Sequence, residues 1–287
     1  MTTISSRLAF LTVAAAFVVA AGCGRSVPPA VKQTDDHTEH KQPEHLHGAM
    51  PEKGSPASLV LTADPVKPTA SQPAKLRLML HDATGKMLKD FEPTHEKLAH
   101  LIIVRHELDE FAHLHPAVDA EGNLSVDHTF PVGGKYHLFL DYKSAGKAPA
   151  TAQTTIDVEG ESPTGAPLAL DVPGTVKGDE YSAAVSFNSS ADKSRVMTFK
   201  IHDQDGNEVK DLEPYLGAMG HLVVLSSDAK NYVHAHPLTE AANGGTVEFE
   251  VHFPGPGLYK AWGQFQRNGR VFTVPAVVQI KSDQHAH

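Results

Sequence analysis

The sequence predicts an all-β protein, with two immunoglobulin-like or cupredoxin-like β-sandwiches in series behind a disordered N-terminal tether. Three observations carry this. Apolar and polar residues alternate in short runs bounded by turn residues, a block of sequence recurs at a fixed offset, and no segment sustains a helical period between its breakers. The chain has 287 residues, 40% hydrophobic and 21% charged, with 22 Gly and 20 Pro, so it is neither collagenous nor polytopic. Its formal charge is −9, and becomes one more negative if a leader whose only charged side chain is Arg7 is removed. Nucleic acid and anionic headgroups are therefore not expected as partners. A single cysteine excludes an intramolecular disulfide framework, thiolate zinc clusters and iron–sulfur sites, whereas 19 histidines invite a ligand role.

Residues 1–22 read as an export signal: Arg7 precedes an apolar run, Leu8 to Ala21, that ends in small residues. Those 14 residues are too few to span a bilayer as a helix. The segment Ala20-Ala21-Gly22-Cys23 resembles the lipobox of bacterial lipoproteins, although Ala stands where Leu is commonest. That resemblance implies lipidation of Cys23 and a membrane contact made through the anchor alone. Residues 23–58 form the tether, rich in Pro, Lys, Glu, Gln and His without apolar periodicity. Within it His37, His40, His45 and His47, with Met50 behind them, could gather a soft or borderline metal, as could the tail at 282–287 with His285 and His287. A solubilising stalk is the simpler alternative.

The duplication organises the rest. Residues 81–93 recur as 202–214 and 100–116 as 221–237, at an offset of 121. The match then continues with two extra residues, Phe130-Pro131 and Gly134-Lys135-Tyr136 recurring as Phe253-Pro254 and Gly257-Leu258-Tyr259. The expected domains are 59–159 and 168–281, joined by a linker at 160–167 that contains Ser162-Pro163-Thr164-Gly165-Ala166-Pro167. Strand alternation is clear in Leu76, Leu78 and Leu80, in Tyr136, Leu138 and Leu140, and in Val247, Phe249 and Val251.

Between the aligned blocks 12 of 36 positions are identical, yet all four histidines of the second copy match histidines of the first. At the background rate of one in four, four such matches arise by chance roughly 0.4% of the time, so imidazole is needed at these places. By the same comparison His95, His106, His128 and His137 lack partners and are expected on the surface. In the second copy, strands at His221–Ser226 and Asn231–His236 flank a turn, and antiparallel pairing sets His221 opposite His236 with His234 on the same face. The first copy likewise sets His100 opposite His115, beside His113. Three convergent imidazoles suit a copper or zinc ion. Met219 could add a thioether in the second copy, where the first has Leu98. His81 and His202 could be further ligands, or the start of the turns that Asp82 and Asp203 suggest.

The Gly-His-Leu-Val-Val strand followed by His-Ala-His-Pro resembles exported bacterial domains of the YtkA-like and FixH-like kinds and periplasmic copper-handling proteins of CopC type. The resemblance implies a small β-sandwich working outside the cytoplasm in metal supply or tolerance. The expected function is an exported, lipid-anchored metal-binding protein, for copper first and zinc second, acting as chaperone, buffer or sensor. The alternatives are a copper redox enzyme, since two β-domains with His-x-His ligands also resemble the two-domain copper monooxygenases, and a structural or adhesive sandwich pair. No H-E-x-x-H helix, Gly-rich phosphate loop or G-x-S-x-G elbow occurs.

Overall fold

The computed structural model describes residues 57–178, 180–189, 194–239 and 244–281. The expected export signal, the expected tether up to residue 56 with His37, His40, His45 and His47, the expected lipidation site Cys23 and the terminal histidines lie outside them, whereas Ser58, expected at the end of the tether, already opens the first strand.

The first repeat holds β1 (Ser58–Asp64), β2 (Pro73–His81), β3 (Ala99–Arg105), β4 (Phe111–Leu114), β5 (Ala117–Val118), β6 (Leu124–Thr129), β7 (Gly134–Lys143) and β8 (Pro149–Val158). They form two antiparallel sheets, β1-β2-β6-β5 and β4-β3-β7-β8. The second repeat holds β9 (Gly174–Lys177), β10 (Ser182–Ser189), β11 (Ser194–His202), β12 (His221–Ser226), β13 (Tyr232–Ala235), β14 (Thr246–His252), β15 (Gly257–Arg267) and β16 (Arg270–Ile280). Its sheets are β14-β11-β10-β9 and β13-β12-β15-β16. In the first repeat the strand order is that of an immunoglobulin-type sandwich; in the second, β10, β11 and β14 take the places of β1, β2 and β6, and β9 lies at the edge beside β10. A further mark of that class is present in both copies, where Tyr136 Oη donates to the Val132 carbonyl and Tyr259 Oη to the Gly255 carbonyl, four residues upstream.

Alternation places each core as expected. Leu76, Leu78 and Leu80 point inward and meet Leu101, Ile103, Leu138 and Leu140 from the facing sheet; Phe199, Phe249, Leu222 and Phe265 do the same in the second repeat. Strands β3 and β12 behave differently, being buried along their whole length. Their second faces are covered because the two repeats pack on one another. Ile102, Val104, Leu108 and Phe139 from the first repeat join Val223, Leu225, Ala229 and Trp262 from the second in a third apolar cluster.

This contact obeys the duplication. Phe111 stacks on Trp262 at 5.0 Å, and Tyr232, the counterpart of Phe111, stacks on Phe139, the counterpart of Trp262, at 4.4 Å. The interface is thus self-complementary, like that of a two-fold dimer, but inside one chain. The linker is held as well: the fully buried guanidinium of Arg105 bonds the Pro163 carbonyl and Ser162 Oγ while pairing with Glu107 and Asp109, and Leu168 packs on the interface.

Candidate metal centre

The hairpin β12–β13 pairs Leu222 with Ala235 and Val223 with His234. One residue further, that register sets His221 against His236, as the sequence predicts; β3–β4 pairs Leu101 with Leu114 and sets His100 against His115 in the same way. Because Leu222 and Val224 face the sandwich core, His221 shares the opposite face with Val223 and Leu225, toward the other repeat. His100 sits likewise beside Ile102 and Val104. Both triads therefore open onto the interface between repeats.

Each triad offers three ring nitrogens within 4.8 Å of one another. Ligands on one tetrahedral ion with bonds near 2.0–2.1 Å are about 3.4 Å apart, so small ring rotations complete the set. One imidazole of each triad is fully buried, His100 at 1% and His221 at 0% exposure, while the other two reach partial exposure.

Hydrogen bonds fix which nitrogens face inward. A carbonyl oxygen only accepts, so His100 Nε2 donates to the Thr94 carbonyl and His221 Nε2 to the Tyr215 carbonyl, both at 2.9 Å. In each neutral ring Nδ1 is then left without a proton and turned to the site. His113 Nδ1 donates to Gln264 Oε1 at 2.7 Å and His234 Nδ1 to Asp141 Oδ2 at 2.9 Å, which aims their Nε2 atoms inward. An acceptor that orients the far nitrogen of a ligating histidine is the usual outer shell of a metal site. Here it is supplied across the interface: Asp141 pairs with His100 on its own sheet and holds His234 of the other repeat, while Gln264 pairs with His221 and holds His113.

The inward nitrogens are poorly served by the protein alone. His115 Nε2, His221 Nδ1, His234 Nε2 and His236 Nε2 are buried without a hydrogen-bond partner among the described residues. His100 Nδ1 and His113 Nε2 face each other at 3.0 Å, and with the tautomers above neither carries a proton. Lone pairs in such contact are relieved by a shared cation. Burial is the main cause that depresses all six imidazoles, His113 to about 3 and His115 to about 4, and neighbouring imidazoles add to it in every ring except His100. They are neutral, as ligation requires. Asp141 accepts from Thr151 Oγ1 and Tyr232 Oη besides His234, and burial raises its carboxyl above the ordinary range.

Several sequence expectations need revision. Met219 is buried in the apolar core of the second repeat, a placement that suits its thioether as packing and gives it no part in the triad. His81 and His202 end β2 and β11 in the outer sheets, outside both convergent groups. Asp82 and Asp203 accept backbone N–H bonds from residues two and four ahead, the turn arrangement. His95, expected on the surface, joins the cluster: it stacks on His236 with centroids 3.5 Å apart and lies 5.7 Å from His221, and burial lowers it to about 4. It projects from a turn in which His95 and Glu96 both have positive φ, 48° and 65°, a conformation costing about 1–2 kcal/mol per non-glycine residue. Its counterpart Leu216 gave no signal of this. Asp141 and Gln264 also escaped the duplication comparison, because the two copies differ there. His106 and His137 pair with each other at 3.0 Å away from the triads.

None of the curated proteins matches this chain. Among solved structures, a Ca2+-stabilised ice-binding adhesin of an Antarctic bacterium is similar at 9% identity and a TM-score of 0.26, over 79% of this chain and 49% of its own. The Escherichia coli adhesin FdeC is similar at 14% and 0.25, over 79% and 65%. The chain thus spans less than two thirds of either. A two-domain fibronectin type III segment of chicken tenascin is similar at 12% and 0.23, over 78% and 99%. At these scores the similarities carry nothing about function. A family model described as Domain of unknown function (DUF8832) matches twice, at residues 58–160 and 175–282, and the chain belongs to that family as a tandem of two copies.

Proposed function

We propose that this chain is an exported, lipid-anchored metal-binding protein that takes up copper, with zinc as the second choice, and acts as a buffer or carrier. The observation that carries the reading is the set of inward nitrogens: unprotonated where the tautomer is fixed, four of the six buried without a hydrogen-bond partner among the described residues, and those of His100, His113, His221 and His234 oriented from behind by acceptors. Imidazole without thiolate suits Cu(II) or Zn(II). In each triad two of the three residues are only partly buried, which leaves the route for exchange that a carrier or buffer needs and a sealed structural site does not. Export and anchoring rest on the apolar leader and on Cys23, and the hairpin's resemblance to YtkA-like, FixH-like and CopC-type domains points the same way. The metal ion is the expected partner.

The test is metal content. The full chain, purified without an affinity tag and with His37, His40, His45, His47, His285 and His287 replaced by Ala, is expected to retain copper or zinc after dialysis. A chain that retains neither is not a metal carrier through its sandwiches, and the histidines then serve an ordinary sandwich pair.

A further inference from the structure

The spacing between the two triads is hardly greater than the spacing within each. Inside a triad the ring centroids are 4.8–5.3 Å apart in the first repeat and 5.0–5.6 Å in the second. Across the interface His113 and His234 are 5.3 Å apart, His100 and His234 5.7 Å, His113 and His221 5.9 Å, and His100 and His221 6.3 Å. The six imidazoles are one cluster cut by a pseudo-two-fold axis.

We propose that the two triads form a single dinuclear centre, in which two ions, one per triad, share a bridging anion. This rests on the metal-binding reading above and specifies its site. Two divalent ions bring four positive charges into a partly dehydrated interface, and the ligands are neutral rings. Among the described residues, the carboxylate hydrogen-bonded to these rings is Asp141, a single negative charge. Two like-charged ions at close range in low dielectric repel strongly. A hydroxide between them, formed when a bound water releases one proton to solvent, lowers that repulsion and gives each set of three imidazoles its fourth ligand. Bridged pairs of this kind lie about 3.5–4 Å apart, which asks for triads that face one another, as these do. The apolar cluster beside them, with its two aromatic stacks, holds the halves in that relation.

The experiment is a Cu(II) titration of the full chain with its six tether and tail histidines replaced by Ala, followed by equilibrium dialysis and electron paramagnetic resonance. Two ions are expected to bind. At two equivalents the integrated signal is expected to fall below half of the copper present, because the bridge couples the spins, and acid denaturation without reductant is expected to restore it. In the same background His234→Ala with His236→Ala is expected to bind one ion with a full, uncoupled signal. Saturation at one ion, two full uncoupled spins, or a lost signal that denaturation does not restore each overturns the dinuclear centre. The first two leave metal binding intact; only a chain that binds neither copper nor zinc overturns the function itself.

Discussion

The two triads are built on one plan and differ in what stands behind them. In the second repeat the rear nitrogen of His234 meets the carboxylate of Asp141; in the first the rear nitrogen of His113 meets the neutral amide of Gln264. A carboxylate acceptor draws the N–H proton and makes the far nitrogen the better donor to a cation, whereas an amide only orients the ring. His95 adds a second inequality, lying over His236 where the corresponding position of the other loop is Leu216. On the metal-binding reading proposed above, the duplicated sequence is expected to yield two seats of unequal strength, the second repeat's being the tighter.

The bluntest way to break this comparison is to empty one seat at a time. With the tether and tail histidines replaced, His234→Ala with His236→Ala is expected to remove one bound ion and leave the weaker affinity; His113→Ala with His115→Ala is expected to leave the tighter one. Titration calorimetry that finds the same residual affinity in both variants removes the inequality. Next in size is the acceptor itself. Asp141→Asn is expected to weaken the tighter seat about 10- to 100-fold, and Gln264→Ala to weaken the other by less. Equal losses in the two variants would show that both acceptors merely orient their rings.

Acidity sharpens the picture without metal. Burial depresses His113 to about 3 and His95 and His115 to about 4, against about 6.5 in the unfolded chain. Below 6.5 the unfolded state binds the more protons, so the stability of the ion-free fold is full above that pH and declines as pH falls toward 4. The slope is at most about 1.4 kcal/mol per pH unit for His113, and smaller for the rings that reach solvent. Melting temperatures of the metal-free protein at pH 7 and pH 5 check this, and equal values would contradict the buried placement. The smallest effect is expected from His95→Leu, which copies the first triad's surroundings onto the second: a few-fold change in the tighter affinity, with an unchanged number of ions.

Much of this architecture was legible in the chain. Leu76-x-Leu78-x-Leu80 gave a half-buried strand, and the register of both hairpins followed from their turns, which is why the triads could be foreseen. The packing of the repeats could not be read from alternation, because Leu101-Ile102-Ile103-Val104 and Leu222-Val223-Val224-Leu225 do not alternate. Such unbroken apolar runs are themselves the mark of a strand buried on both faces, and they were the available clue. Asp141, Gln264 and His95 stayed hidden for a different reason. A comparison between copies finds what they share, and these residues matter through what they do not share. Met219 misled because it lies before β12 begins at His221, so the two-residue alternation of the strand does not fix its side.

The linker pinned by Arg105 bears on life at low abundance. A site assembled from two separate subunits comes apart on dilution, since its halves must find each other by diffusion. Joined in one chain, the halves see each other at an effective concentration of about millimolar, however dilute the protein. A sparsely expressed protein can then keep both halves of its site together at all times.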